Sequence, residues 1–396
     1  MTLDELAARA GTTVDHVRRL MEIGILTHRG PDEPFAEADL ARIRFTIALG
    51  GSGVSEEDLA RGLREGFLSL AFADLALAAP SGLLGITHED LLAETGLPSD
   101  LYEEIRAGMG MAGPGDAAVR DDLAEMARLA AVPLAFGIRQ ETMVRAMRVA
   151  GESLQRIADF AGEVWQEDVE RPLLERGLSY REMIEVSNQA APALQPMVER
   201  LLLLLYRHYL EAKIFHNMVQ RAEEALEAAG VHRRVRRNPA MAFLDLSGYT
   251  ALTERLGDRA AAELAGRLAD MAQSCAAAHS GRPVKWVGDG VMFHFPDPGT
   301  AVPATLEMVE EAPTVGLPAA HVGVSVGPVV MRDGDFFGRT VNLAARLSDR
   351  AGPGEVLVTR EVVATAGGDG VHFEEMGEAS LKGMSRPVEL FRATRA

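Results

Sequence analysis

Apolar side chains recur at helical spacing through the first 230 residues, and this pattern changes after residue 239. Near the start, apolar positions repeat every three or four residues on either side of a break at Gly11, Thr12 and Thr13. That spacing predicts a helix, a tight turn and a second helix. A further helix is predicted to begin near Ala36. The apolar positions that form the pattern are Leu3, Leu6, Val14, Val17, Leu20 and Met21.

A second feature is a long amphipathic stretch that runs from Met183 to about Ala228. It contains two prolines, Pro192 and Pro196, both near its beginning. After Pro196 the helical spacing continues, so a helix of about eight turns is predicted. Two interpretations stay open. The stretch is either one more core helix of the upstream block or a rod that connects this block to the next domain.

The pattern of apolar and polar positions changes at an arginine-rich segment, "VHRRVRRNP" (231–239). This segment is either a solvated linker or a basic joint that docks on the acidic surface of the chain. Beyond it, short apolar runs alternate with helical patterns, which predicts a layered domain of strands and helices. The predicted organisation is a helix-turn-helix module over 1–78, a second all-α domain over 79–229, a linker over 230–239 and a domain of strands and helices over 240–396. In the last domain we predict helices over 251–279, 299–311 and 341–348, and strands over 321–330 and 355–359.

Composition narrows the class of protein. The chain has 396 residues, 47% of them apolar, and a formal net charge of −18. That charge argues against non-specific binding to nucleic acid or anionic lipid. No run approaches the roughly 18 apolar residues of a membrane span, and the acidic start "MTLDELAARAG" is not a secretory signal. The one cysteine, Cys275, cannot form an internal disulfide. We therefore expect a cytoplasmic protein whose polyanionic ligands would need local cations or metal ions.

The N-terminal module resembles the opening of MerR-type regulators, although it lacks their usual paired tyrosines after the second helix. Through residue 50 it carries six arginines, no lysine and eight acids, a net charge of 6 − 8 = −2. A protein that reads DNA normally presents a basic face. The charge therefore favours a role in protein contacts over DNA binding, and DNA binding is kept as the lesser alternative.

The chemistry is predicted at the ends of two apolar strands. Asp245 follows the strand "AMAFL", and Asp289 lies at the tip of a hairpin in "KWVGDGVMFHF". Asp-Gly is also an ordinary turn sequence, so Asp289 has a second explanation. If the strands are neighbours, the two carboxylates repel unless a divalent cation neutralises them, and oxygen ligands favour Mg²⁺ or Mn²⁺. The backbone amides of Ser247, Gly248 and Tyr249 lead into a helix and suit phosphate oxygens.

Four segments together resemble the class III adenylyl cyclase catalytic domain, in its order and at its spacing. They are "FLDLSGYTALTE", "VKWVGDGVMF", "DFFGRTVNLAARL" and "LKGMSRPVELFRA", and the resemblance covers about residues 238–396. The region upstream is similar, more loosely, to the regulatory half of soluble actinobacterial cyclases. The resemblance implies an α+β domain with a ferredoxin-like βαββαβ core, preceded by an all-α regulatory region. It also implies conversion of ATP to 3′,5′-cyclic AMP and pyrophosphate.

The resemblance implies a role for each matching residue. Asp245 and Asp289 would hold two divalent cations per site, Mg²⁺ or Mn²⁺. The carbonyl of Leu246 would be an additional ligand. The remaining matches are Lys285 and Asp335, which read adenine; Asn342, which orients the ribose; Arg346, which stabilises the transition state; and Lys382, which grips the triphosphate. The departures from the family pattern are Tyr249, Trp286 and Phe337, and Arg339 adds a charge where the family varies.

In this family each site lies between two subunits, and this chain carries both halves once, so the resemblance implies a homodimer with two composite sites. The helical region would regulate activity. His208, His216 and His232 make pH one candidate signal. An apolar ligand between the helices is another. The rival prediction from a different class is a DNA-binding regulator whose cyclase-like domain only senses nucleotide.

Overall fold

The computed structural model describes residues 1–26, 34–71, 82–111, 119–233, 238–366, 370–384 and 386–396. It divides into two compact units, Met1–Val219 and Gln220–Ala396. The predicted boundary at residues 78 and 79 lies outside the described residues, and so do residues 234–237 of the arginine-rich segment. Among the helices that the structure describes, none combines the length and the apolar character needed to cross a membrane.

The described part of the first unit is almost entirely helical. Four of its helices begin where a hydroxyl side chain caps the first turn, and the capping residues are Thr2, Thr13, Ser55 and Thr87. A π-helical turn, Trp165–Glu170, separates α8 from α9. The described helices are α1 Leu3–Ala10, α2 Val14–Glu22, α3 Glu37–Gly51, α4 Glu56–Arg64, α5 His88–Thr95, α6 Ser99–Gly108, α7 Asp121–Ala135, α8 Gln140–Val164, α9 Arg171–Glu175 and α10 Tyr180–Ala228.

The predicted helix-turn-helix is present as α1 and α2. Gly11 ends α1 with a φ of 70°, a conformation that costs glycine little. Leu6 and Leu20 are fully buried between these helices and their neighbours. Several of the module's arginines are held in ion pairs, and two of them contact two acids each. Arg9 contacts Glu37 and Asp121, and Arg19 contacts Glu56 and Glu57.

The long helix α10 is one continuous helix of 49 residues. It begins three residues before the predicted start and includes Pro192 and Pro196, so the prolines do not interrupt it. Beyond Pro196 it exposes large apolar side chains on several sides. The most exposed are Met197, Tyr206, Tyr209, Phe215 and Met218, each more than 60% accessible. Side chains of this kind normally require a covering surface.

A seven-stranded sheet forms the centre of the second unit, and its strand order is β2-β3-β1-β4-β7-β9-β8. Strand β1 lies between β3 and β4 and is antiparallel to both. The order β2-β3-β1-β4, with helices after β1 and after β3, is the predicted ferredoxin-like βαββαβ core, and that prediction is confirmed. The strands are β1 Ala240–Leu246, β2 Arg282–Val287, β3 Gly290–Phe295, β4 Ala320–Val326, β5 Val330–Arg332, β6 Asp335–Phe337, β7 Val356–Thr359, β8 Val371–Ala379 and β9 Val388–Arg395.

The helices of the second unit cover the sheet and bury its core. A buried cluster joins α12 and α13 to β1, β3 and β4, and its largest side chains include Phe293 and Phe295. The helix α14 packs against β4 and β1. The helices are α11 Tyr249–Leu256, α12 Asp258–Ala278, α13 Ala301–Thr314, α14 Arg339–Arg350 and α15 Arg360–Thr365, and a 3₁₀ turn, Pro298–Thr300, precedes α13.

Two predicted elements were wrong in extent. The single helix predicted over 251–279 is two helices, because Gly257 adopts a φ of 83° and ends α11. The strand predicted over 321–330 ends at Val326, and Pro328, which has no backbone N–H, follows it. Residues 330–332 pair instead with β6 in a separate hairpin, whose turn places Asp333 and Gly334 at positive φ.

Candidate active site

Asp245 and Asp289 lie together at one end of β1. Asp245 is the penultimate residue of β1, and Asp289 lies in the turn between β2 and β3. The turn lies close to β1. A Cβ added to Gly290, at the end of this turn, would be 3.1 Å from the Leu244 carbonyl oxygen and 3.7 Å from Asp245 Oδ1. Partial burial and then the Asp289 carboxylate raise the pKa of Asp245. The predicted convergence of the two carboxylates is therefore present.

The conformation of the hairpin turn separates the two explanations of Asp289. The positive φ of this turn falls on Gly288, at 63°, and not on Asp289. Any L-residue tolerates the backbone conformation at 289 better than the one at 288. The turn itself therefore does not require aspartate at position 289, and the carboxylate is left for another role.

His321 is a neighbour of Asp245 that sequence reasoning missed. It faces Asp245 across the β1–β4 ladder, with His321 Nε2 3.8 Å from Asp245 Oδ2. Its other ring nitrogen, Nδ1, lies 3.1 Å from the Ser247 hydroxyl oxygen. The Asp245 carboxylate also accepts a 3.0 Å hydrogen bond from the Leu246 amide. These contacts orient the carboxylate at the strand end. Only the strand register could have revealed them, because His321 belongs to no motif.

The loop after β1 supports only part of the predicted phosphate cradle. Gly248 has a φ of 74° and precedes α11, which begins at Tyr249. The Ser247 amide already donates a 2.9 Å hydrogen bond to the Ala319 carbonyl oxygen, so it is not available to phosphate, and that part of the prediction is wrong. The Tyr249 hydroxyl donates to the Ala261 carbonyl oxygen at 3.1 Å and fastens α11 to α12. Phosphate binding by the amides of Gly248 and Tyr249 stays a prediction.

Lys285 and Asp335, 50 residues apart in the chain, form an ion pair. Lys285 Nζ lies 2.8 Å from Asp335 Oδ2. Lys285 is exposed on β2, whereas the Asp335 side chain is only 22% exposed. Asp335 Oδ1 accepts a 2.8 Å hydrogen bond from the Phe336 amide, which fixes the carboxylate. The structure thus joins the two residues expected to read one base, a donor beside an acceptor.

The helix α14 carries Asn342 and Arg346 one turn apart, so both lie on one helix face. The helix packs closely on β4 because residue 323 is glycine. A Cβ there would lie 2.2 Å from the Ser348 backbone nitrogen and 2.3 Å from the Ala344 carbonyl oxygen. This close contact fixes the position of α14 on the sheet, and with it the positions of Asn342 and Arg346.

Arg346 forms an ion pair on its own helix that the sequence did not reveal. Its guanidinium Nη1 lies 2.6 Å from Asp349 Oδ2, three residues further along α14. The negative charge of Asp349 also contributes to the raised pKa of Asp245, after the larger effects of burial and Asp289. Arg346 is therefore held by an acid of its own helix, near the carboxylate pair.

The remaining predicted residues lie at the surface. Lys382 is exposed between β8 and β9, and Asn342 and Arg339 are exposed on α14. Two of the family departures, Trp286 and Phe337, are exposed at 42% and 50% and flank the Lys285–Asp335 pair in sequence. The structure therefore brings together the two aspartates, and separately the lysine with its aspartate, within one chain.

The carboxylate pair fits divalent cations. Two acids in proximity, one with a raised pKa, gain from a bound cation that neutralises both. Asp245 and Asp289 offer carboxylate oxygens, and His321 is directed to Ser247 and Asp245. Such oxygen donors suit Mg²⁺ and Mn²⁺. The residues present therefore fit a hard divalent ion.

The match to a family model identifies a nucleotide cyclase domain. Residues 232–392 match the family described as adenylate and guanylate cyclase catalytic domain. Residues 36–210 match the family described as adenylate cyclase regulatory domain. The first match contains every predicted site residue, and the second ends inside α10.

Two relatives of known name agree with these matches. The chain is 30% identical to the pH-sensitive adenylate cyclase MT1302 of Mycobacterium tuberculosis over 324 residues. This aligned region covers 78% of each chain. It is 31% identical over 266 residues to an adenylate cyclase of Streptomyces coelicolor, covering 66% of this chain and 67% of that one. The crystal structure of the adenylyl cyclase CyaB from P. aeruginosa aligns at 24% identity over 41% of this chain and 97% of that chain, with a TM-score of 0.35.

The chain belongs to the bacterial adenylate cyclases in which a regulatory domain precedes the catalytic domain. It is thus an enzyme of the adenylate cyclase class, with the predicted α+β catalytic fold.

Proposed function

We propose that the catalytic domain converts ATP to 3′,5′-cyclic AMP and pyrophosphate at composite sites of a homodimer. The observation that carries this proposal is the convergence of Asp245 and Asp289, where burial and then repulsion by Asp289 raise the pKa of Asp245. These two carboxylates, with the Leu246 carbonyl, would hold two Mg²⁺ or Mn²⁺ ions. When bound, the ions acidify the ribose 3′-hydroxyl and neutralise the phosphates.

Adenine would be read by Lys285 and Asp335. The lysine donates to the ring nitrogen N1, and the aspartate accepts from the N6 amino group. Their 2.8 Å contact shows that one donor and one acceptor lie side by side, as an adenine edge requires. Guanine presents an acceptor where adenine has a donor, and a donor where adenine has an acceptor, so both charged groups would be badly paired. This arrangement supports ATP as the preferred substrate.

The groups that act on ribose and phosphate are exposed on the surface. Asn342 would orient the ribose, and Arg346 would offer its planar guanidinium to charge that builds on the α-phosphate. Lys382 would bind the triphosphate. The amides of Gly248 and Tyr249 would receive phosphate oxygens at the start of α11. Because the reaction is intramolecular, correct positioning supplies much of the rate.

The surface around the base-reading pair supports assembly with a second copy. Apolar side chains adjoin Lys285 and Asp335 on β2 and on the β5–β6 hairpin. Such a group of exposed apolar residues beside functional residues is typical of an interface. A two-fold dimer would place the aspartates of one copy opposite the base-reading and transition-state residues of the other, twice. The exposed apolar residues are Trp286, Val287, Val330, Met331 and Phe337, each at least 42% accessible.

Regulation is assigned to the helical region, and pH is its first candidate signal. The M. tuberculosis relative is called pH-sensitive. His208 and His216 are exposed on α10, and His232 follows that helix. Histidine is the side chain whose charge most readily changes near neutral pH. Replacing all three by glutamine in the full chain should bring the ratio of cyclase activity at about pH 5.5 to that at about pH 8 closer to one. An unchanged ratio would show that these histidines do not sense pH.

An apolar ligand between the helices is the second candidate signal.

The alternative of a DNA-binding regulator is less well supported. Arg9 and Arg19 of the helix-turn-helix module contact acids of the same chain. Arginines used in this way do not form a free basic face for phosphates. The acidic balance of the module points the same way. We therefore assign the module to protein contacts.

The direct test is turnover of ATP and GTP by the purified full chain with Mg²⁺ or Mn²⁺. We expect cyclic AMP from ATP, much less product from GTP, and loss of activity on chelation. Asp245→Ala and Asp289→Ala should each lower kcat by at least about a hundredfold. Wild-type activity in either variant would contradict the proposal. So would retention on promoter DNA without any cyclase activity.

A further inference from the structure

A group of potential metal ligands lies between α12 and α13, apart from the aspartates of the active site. Cys275 and His279 are four residues apart at the end of α12. Glu307 and Glu311 are four residues apart on α13. Residues at this spacing share a helix face, so each helix directs two donors towards the other. The helices α12 and α13 are in contact along this face.

Three of the four donors lie close together, and the fourth, His279, contacts one of them. The Cys275 sulfur and one carboxylate oxygen each from Glu307 and Glu311 all lie within 4.8 Å of one another. His279 Nε2 lies 2.8 Å from Glu307 Oε2. Bonds of about 2.0–2.3 Å to a tetrahedral zinc ion place its ligands about 3.3–3.8 Å apart. Three of the donors therefore lie within about an ångström of this spacing, and the His279 ring, now directed at Glu307, would have to turn towards the other two to complete the set.

We propose that Cys275, His279, Glu307 and Glu311 form a second metal site, which takes a borderline-soft divalent ion with Zn²⁺ as the expected occupant. Sulfur, imidazole and carboxylate are the three donor types that zinc uses in proteins. The thiolate distinguishes this site from the aspartate pair, whose oxygen donors suit Mg²⁺ or Mn²⁺. The site does not depend on the proposed function.

The electrostatics of the group agree with this assignment. Burial, followed by the charges of Glu307 and Glu311, raises the pKa of the Cys275 thiol to about 11. Without an ion the thiol is protonated at neutral pH and lies among acids. A dication would reverse the local potential, displace the thiol proton to solvent and form the sulfur–metal bond.

The position of the site gives it a structural consequence. His279 caps the C-terminus of α12, and β2 begins three residues later at Arg282. The strand β2 carries Lys285, which we assign to base reading. An ion bound here would join the end of α12 to α13 just before that strand. We expect it to stabilise the catalytic unit against unfolding.

The experiment uses Co²⁺ as a spectroscopic substitute in the chelator-treated, reduced full chain. Cys275 is the only cysteine, so a near-ultraviolet thiolate-to-cobalt band can arise at no other residue. We expect one equivalent of Co²⁺ to produce that band, and Zn²⁺ to displace it in line with its higher affinity for such ligands. Zn²⁺ should also raise the Tm of the catalytic unit by about 3–6 °C.

The variants decide between a metal site and a buried thiol. Cys275→Ser should abolish the band, and His279→Gln, which changes a less buried side chain, should weaken Co²⁺ binding at least about tenfold. Glu310→Gln is the matched control on α13, because Glu310 faces Arg395 rather than the group. It should leave the band unchanged. Absence of the band in the wild-type chain, or equal binding by wild type and His279→Gln, would overturn the proposal.

Discussion

At the scale of single residues, the hairpin tip shows how conformation separates two explanations of the same amino acid. An Asp-Gly pair is an ordinary turn sequence, so the sequence alone explains Asp289 in two ways. In the structure Gly288 takes the positive φ, and Asp289 does not. Its carboxylate instead lies near Asp245 and, after the larger effect of burial, raises the pKa of that residue. Charge therefore explains position 289 better than turn geometry does.

The base-reading pair leads to a prediction about specificity. Lys285→Ala removes the donor to adenine N1 and leaves Asp335 without its 2.8 Å partner. We expect kcat/KM for ATP to fall by about 10- to 100-fold, since a lost charged hydrogen bond costs about 1.5–3 kcal/mol. The value for GTP should fall much less. Measured rates with both nucleotides give the ratio.

Lys382→Ala is the matched control for this experiment. Lys382 is assigned to the triphosphate, which ATP and GTP share, so both rates should fall by a similar factor. An ATP-to-GTP ratio that changes equally in the two variants would argue against base reading by Lys285.

A half-buried histidine leads to a prediction about acid stability. His294 stacks on Phe336, with ring centroids 4.4 Å apart. Burial, and then the charge of Arg282, lowers its pKa to about 4. The unfolded chain binds the proton at higher pH, so this residue costs stability as the pH falls from about 6.5 to about 4. Allowing for solvent screening, the loss is about 1–2 kcal/mol.

Fluorescence of Trp286 can measure that loss. The chain has two tryptophans, and Trp165→Phe leaves Trp286, in the catalytic unit, as the reporter. Between pH 7 and pH 4.5, His294→Asn should lose about 1–2 kcal/mol less unfolding free energy than the parent chain. The exposed His372→Gln is the control and should behave like the parent. Identical pH dependence of His294→Asn and the parent would contradict the assignment.

Sequence reasoning found the residues that lie in motifs and missed those that depend on register. Asp245 and Asp289 were expected to converge, and they do. His321 was missed because only the pairing of β1 with β4 places it opposite Asp245. The Ser247 amide was wrongly assigned to phosphate because its bond to Ala319 depends on the position of a distant strand end.

At the scale of elements, the strands and helices followed from the sequence better than their ends did. The βαββαβ order was expected and is confirmed. The helix over 251–279 was wrong because a single glycine, Gly257, interrupts an otherwise continuous helical pattern. The apolar run through Val330 misled for a different reason. It contains two strands of two different sheets, and periodicity alone does not show which partner a strand takes.

The helix α14 leads to a prediction about Asp349. Arg346 is paired with Asp349 at 2.6 Å and has to leave it to reach the α-phosphate. The two side chains are 41% and 59% exposed, so the pair contributes at most about 1 kcal/mol. Asp349→Asn should therefore raise kcat/KM for ATP by about two- to fivefold. Steady-state kinetics will measure this, with Asp349→Glu as the charge-preserving control. A clear loss of activity in Asp349→Asn would show that the pair is needed for catalysis.

At the scale of the whole molecule, the sequence predicted an all-helical region followed by a sheet domain. The structure separates into units 1–219 and 220–396, with α10 extending from the first into the second. The predicted divisions at residues 78–79 and 230–239 stay predictions. That each site lies between two subunits also stays a prediction. It is based on the fact that each chain carries one copy of each half of the site. The exposed apolar residues beside Lys285 and Asp335 are its main support.

Complementation between two inactive variants tests the central claim most directly. Asp245→Ala lacks the metal half of the site, and Arg346→Ala lacks the transition-state half. If the sites are composite, a mixed dimer contains one site with both defects and one intact site. Unfolding and refolding the variants together in equal amounts should make about half of the dimers mixed, and activity should return to about one quarter of wild type. Each variant alone should stay inactive. A mixture as inactive as its components would contradict the account.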